Sequence, residues 1–123
     1  MNILLLLDTN IVIYYLSEDP KLAGFLEGKR IALPFVSEIE LLAWPKLNNN
    51  DKAVINRFIN DSLLVDYSSQ LKKTVIELKK EYGLKLGDAF IAATAINFGM
   101  PLISSDTVFK RVAGLDFFSY KTK

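Results

Sequence analysis

The stretch LLLLDTNIV, residues 4–12, sets an aspartate at the end of an unbroken run of leucines. Four consecutive leucines read as a strand covered on both faces, because only a half-exposed strand needs to alternate with polar residues. A carboxylate beside such a core must be hydrogen-bonded, paired or bound to a cation, since burying it bare costs several kcal/mol. Asp8 therefore demands a partner, and the rest of the chain has to supply it.

The 123 residues fit one domain, and half of them are hydrophobic, enough for a well-formed core and for some apolar surface left to a partner. With Cys 0 and His 0, disulfides, thiolate metal sites and imidazole chemistry are all excluded. Catalysis would have to rest on carboxylates, hydroxyls, lysines or a bound cation. Residues 3–7 are too short to span a bilayer, which takes about 20 apolar residues, and no Lys or Arg precedes them as in a signal peptide. A cytoplasmic location with no membrane partner fits that reading. Net charge is +1; residues 1–61 carry 6 basic and 8 acidic side chains and residues 62–123 carry 9 and 6, a mild bias. It is usable by nucleic acid but common on solvated helices.

Outward from the leucines, short apolar runs alternate with helical patterns. Residues 2–7 predict a strand and 9–17 a short helix. EDPKLAGFLEG predicts a helix opened by Asp19 and Pro20 and stopped by Gly28. RIALPFV predicts a strand cut short by Pro34, and SEIELLAWPKL a helix from Ser37 that bends or stops near Pro45. Next come a helix in NNNDKAVINRFIND, a strand in LLVDY, an amphipathic helix closed by Gly83, and an apolar, buried helix in LGDAFIAATAINFG. PLIS, DTVFKRVA and LDFFSY complete a strand, helix, strand order. Strands separated by helices imply an α/β/α sandwich, three layers with a central, mostly parallel sheet of about five strands.

Ligands of such sheets collect outside the carboxyl ends of the strands, near the point where strand order reverses. Asp8 follows the first strand and Asp106 the fourth, while Glu40 and Asp88 lie near the starts of helices. Each has a plainer explanation. Asp8 and Asp106 suit helix N-caps, Ser37 and Glu40 have the spacing of a capping box, and Asp88 suits the positive end of a helix dipole. If the four converge, however, their mutual repulsion weakens the fold unless a cation compensates. Without His or Cys that cation is a hard one held by oxygens, Mg²⁺ or Mn²⁺.

In this order and at these spacings the residues resemble the PIN domain, the metal-dependent nuclease fold of VapC-type toxins of toxin-antitoxin pairs. The resemblance rests on Asp8-Thr9-Asn10 after the first strand, Glu40-Leu41 on the third helix, Asp88 opening DAFIAATA, and Ser104 with Asp106 after the fourth strand. Glu38 and Glu40 lie about 200° apart around a helix, so one alone can face a site, and the following leucine selects Glu40. Where the family's helix commonly ends in Gly, this chain has Ala43-Trp44-Pro45.

The resemblance implies an endoribonuclease that hydrolyses RNA phosphodiester bonds, with Asp8, Glu40, Asp88 and Asp106 as catalytic metal ligands, Asp8 and Asp88 foremost. It also implies a cognate antitoxin protein that lays an apolar segment near the early helices, and a homodimer. Asn10 is a candidate to orient Asp8 or simply to start its helix, with Thr9 beside it. Ser104 is a candidate contact for a phosphate or a metal-bound water, and Lys110 and Arg111 for phosphates or for solvent alone. Ile11, Tyr14, Tyr15, Leu16, Phe25 and Trp44 exceed what a small core obviously needs; core packing explains most of them, and some are candidates to receive the antitoxin. The alternatives are a PIN-fold nuclease outside a toxin-antitoxin pair, acting on DNA or RNA, and a non-catalytic Mg²⁺-binding interaction module. A receiver-like module expects an adjacent acid pair after the first strand, and DTN offers one acid.

Overall fold

The computed structural model describes residues 4–121. β1 (Leu4–Leu7) leads directly into α1 (Thr9–Leu16), followed by α2 (Pro20–Leu26) and β2 (Arg30–Pro34). α3 (Phe35–Leu42), α4 (Asn49–Asn60) and β3 (Leu63–Val65) complete the first half. The second half runs α5 (Ser69–Tyr82), α6 (Leu86–Phe98), β4 (Leu102–Ser104), a 3₁₀ turn (Thr107–Arg111) and β5 (Phe117–Ser119).

The five strands form one sheet in the order β3-β2-β1-β4-β5, every pairing parallel. β1 lies at the centre: the chain builds outward through β2 and β3 on one side, then crosses to β4 and β5 on the other. The reversal of strand order thus falls between β1 and β4, with Leu6 beside Leu102 and Leu7 beside Ile103.

The leucine run is central because both of its faces are covered. Leu6 packs with Leu71, Val75 and Leu78 of α5, with Ala89, Ala92, Ala93 and Ala95 of α6, and with Phe109. Leu5 and Leu7 point the other way, into a second core with Ile11 and Val12 of α1, Leu22 and Leu26 of α2, Leu41 of α3, and Ile55 and Ile59 of α4. Strand alternation divides the leucines between two helical layers, and the sandwich follows. Gly83 and Gly99 end α5 and α6 in the left-handed conformation that an L side chain rarely adopts.

The predicted elements differ from the observed ones chiefly at α3 and at DTVFKRVA. α3 begins at Phe35 rather than at Ser37, because Pro34 ends the strand ladder and its φ of −73° already suits a helix entry. The Ser37–Glu40 capping box therefore does not form: Pro34 is the N-cap, without a side-chain bond, and Ser37 lies inside the helix, fully buried. DTVFKRVA yields only the 3₁₀ turn, a form whose poorer hydrogen bonds favour short runs. The first strand is described from Leu4, and the predicted residues 2–3 lie outside the described range. Among the described residues no helix is long and apolar enough to cross a membrane.

Candidate functional site

The switch point between β1 and β4 opens into a cleft of about 270 Å³ lined by Asp8, Thr9, Asn10, Ile13, Glu40, Trp44, Asp88, Ile91 and Asp106. Four separate parts of the chain each deliver one acid: the β1 end, α3, the first turn of α6, and the segment after β4.

Asp8 is 6% exposed, and its two oxygens are both committed. Oδ1 caps α1 by accepting the Thr9 N–H at 2.7 Å, and Oδ2 accepts the Ser104 hydroxyl at 2.6 Å. The capping explanation for Asp8 is thus correct and compatible with a place in the cleft. Ser104 is fully buried, and its Oγ also accepts the Asp106 N–H at 3.0 Å, so one hydroxyl ties the first acid to the loop carrying the fourth. Asp106 in turn caps the 3₁₀ turn through the Val108 N–H at 3.0 Å.

Glu40 stands at the exposed rim and accepts from the Thr9 hydroxyl, whose oxygen lies 3.0 Å from the buried Ser37 Oγ. A carboxylate only accepts, so the single Thr9 proton belongs to Glu40, and the Ser37 hydroxyl donates to Thr9. Glu38, two residues earlier, is not part of the cleft lining. Asp88 occupies the third position of α6, whose N-cap, Lys85, offers no side-chain bond.

Burial pushes the Asp8 carboxyl above the usual aspartate range, the Ser104 and Thr9 bonds oppose it, and the charges of Glu40 and Asp106 add to the rise. Asp88 is likewise raised, first by desolvation, then by Asp106, Asp8 and Glu40, with Lys85 partly offsetting them. Asp8 and Asp88 thus each feel the charge of other acids in the cleft. Such a group is short of positive charge.

Asn10 is the second residue of α1 and lines the cleft with an exposed side chain, while the Asp8 oxygens accept from Thr9 and Ser104. Ser104 is not available to a phosphate or a metal-bound water, because it is fully buried and its oxygen is used twice within the protein. Arg111 donates to the Tyr82 carbonyl at 2.7 Å, and neither it nor Lys110 lines the cleft. Ser37 was missed as a site residue. Its signal was a serine four residues before Leu41 on the buried face of α3, where an apolar residue belongs.

In kind and in electrostatics the donors fit a hard divalent cation: oxygens only, from four carboxylates whose mutual repulsion a cation relieves. Among the described residues, no group of three or more acidic side chains is already arranged to hold a metal ion.

A family model described as PIN domain matches residues 5–115. Among solved structures, a toxin-antitoxin complex from Klebsiella pneumoniae is similar at 26% identity and TM-score 0.78, covering 90% of this chain and 94% of that one. VapBC2 from Rickettsia felis, bound to a DNA fragment from its promoter, is similar at 21% identity and TM-score 0.83, covering 97% and 100%. VapBC-1 from nontypeable Haemophilus influenzae is similar at 22% identity and TM-score 0.78, covering 95% and 98%. No curated protein sequence matches the chain.

Proposed function

Because the chain belongs to the PIN domain family, we propose that it is a Mg²⁺- or Mn²⁺-dependent endoribonuclease, the toxin of a VapBC-like toxin-antitoxin pair. The observation that carries this reading is the gathering of Asp8, Glu40, Asp88 and Asp106 into one cleft at the switch point. Four carboxylates repel a phosphodiester, so the substrate can enter only with a cation present. Once bound, such an ion supplies positive charge to the phosphate and lowers the pKa of a water that can attack it.

The chain's own residues do the positioning. Asp8, fixed by Ser104 and the Thr9 N–H, is the rigid ligand; Asp88 is the second, at the start of a buried helix. Glu40, held by Thr9, and Asp106, held as a cap, complete the set at the rim and can accept the proton released by the attacking water. Ile13, Ile91 and Trp44 wall the cleft and limit the water around the scissile bond.

The antitoxin partner takes the apolar groove next to the cleft, lined by Ile13, Leu16, Trp44, Leu47, Val54 and Ile55. The similar complexes from Klebsiella and Haemophilus support a partner of this kind. A second copy of the chain takes the apolar face where Ile39 and Leu86, 58% and 57% exposed, flank Phe35, Val36 and Phe90. Sedimentation should find a dimer that Leu86→Lys converts to monomer.

Purified protein incubated with total RNA, with and without Mn²⁺, tests the activity. Cleavage should need the metal and disappear in Asp8→Asn and Asp88→Asn while circular dichroism stays native. Cutting at wild-type rate by both variants would refute the assignment.

A further inference from the structure

Trp44, the single tryptophan, follows the C-cap of α3, Ala43, at a place where the acid cleft and the neighbouring apolar groove meet: it lines both, and 51% of it is exposed. An indole left half in water forfeits a large burial gain, so its exposure calls for a ligand. Its backbone is restrained. Pro45 confines the preceding residue to extended conformations, and the Leu47 N–H donates to the Trp44 carbonyl at 3.3 Å across the turn. The backbone that carries the ring is thus restrained.

We infer that the Trp44 indole is the stacking platform for an unpaired nucleobase next to the phosphodiester held in the acid cleft. The inference rests on the nucleic-acid reading of that cleft and adds a binding site for the base. A strand whose phosphate lies among Asp8, Glu40, Asp88 and Asp106 must lay its adjoining bases on the remaining walls, which are Thr9, Asn10, Ile13, Trp44 and Ile91. Trp44 alone among them has a flat π-face to match a base. Beyond it, Lys46, Asn50 and Ser17 line the groove that the antitoxin fills in the complex and into which the strand continues in the free protein, offering a cation for the next phosphate and two hydrogen-bonding side chains. Asp51 in the same groove opposes part of that attraction. Aromatic stacking combined with a nearby cation is the usual means of holding single strands, and it tolerates any base. Trp44 therefore selects for unpaired substrate rather than for a sequence.

Being unique, this tryptophan reports on its own occupancy. The probe is an unstructured RNA octamer with phosphorothioate linkages, in Mg²⁺ buffer, compared with an abasic octamer of equal length. The intact octamer should quench Trp44 emission and the abasic one should not. Trp44→Ala should weaken binding by about 5- to 150-fold, while Trp44→Phe, which keeps a ring and controls for folding, should stay within about fivefold of wild type. Unchanged emission at saturating octamer, equal quenching by the abasic octamer, or full affinity in Trp44→Ala would overturn the inference. So would emission that answers to a partner protein and never to RNA. Quenching by the octamer in a protein that leaves total RNA uncut would sink the nuclease reading and keep the platform; cut RNA with silent Trp44 would do the reverse.

Discussion

At the scale of single residues, the site depends on hydroxyls as much as on acids. Ser37 reaches Glu40 only through Thr9, and it is fully buried, so removing its oxygen takes away the bond that fixes which way the Thr9 proton points. Groups that orient ligands in this manner typically matter by 10- to 100-fold in metal affinity or activity. Ser37→Ala should lower cleavage by about that factor with metal binding weakened in parallel, and Ser37→Thr, which restores the hydroxyl, should recover much of both. A purely structural role would instead reduce thermal stability and leave metal titrations unchanged. The four acids were legible in the sequence because each interrupts or adjoins an apolar run. The hydroxyls were less so: Ser104 suggested a substrate contact and Ser37 a cap, since spacing gives position along a chain but not which side chains meet across 28 or 96 residues.

At the scale of elements, α6 is the clearest case of sequence dictating placement. It is apolar nearly all round, and Ala89, Ala92, Ala93 and Ala95 are at most 2% exposed, wedged between α5 and the sheet. Small side chains let the helix approach closely, and that approach brings Asp88, one turn before Ile91 and Ala92, to the cleft. Ala93→Leu should force the helix outward and cost about 1–3 kcal/mol, read as a lower denaturation midpoint with unchanged slope. Element order, the parallel sheet and the Gly83 and Gly99 stops were all readable from periodicity and turn residues. The junction of β2 with α3 was not. Proline at position 34 signals an interruption, yet whether a loop or a helix follows depends on the packing of Phe35 and Val36 against the core, which is a tertiary matter.

At the scale of the whole molecule, folding gathers like charges from distant segments, and the fold bears the cost until a cation arrives. Asp8 and Asp88 both titrate above their ordinary value of 3.8 in the native state. A raised carboxyl contributes stability that is complete below the unfolded pKa and lost as pH climbs through the folded one, so each group weakens the metal-free protein at neutral pH. Other groups add their own slopes; Asp19, lowered chiefly by the Tyr120 hydroxyl, runs in the opposite sense and is lost as pH falls. The difference between wild type and Asp88→Asn isolates the term of interest. In chelator, Asp88→Asn should melt higher than wild type at pH 7, and the gap should close as pH approaches the unfolded aspartate value of 3.8. Mn²⁺ should then raise the melting point of wild type at pH 7, by about 2.7 kcal/mol of stability at a hundredfold excess over its Kd, and raise the variant less. A variant that melts lower than wild type at neutral pH, or a wild type indifferent to Mn²⁺, would mean that neither burial nor the neighbouring carboxylates make the Asp88 charge costly, and the case for a cation there would go with them.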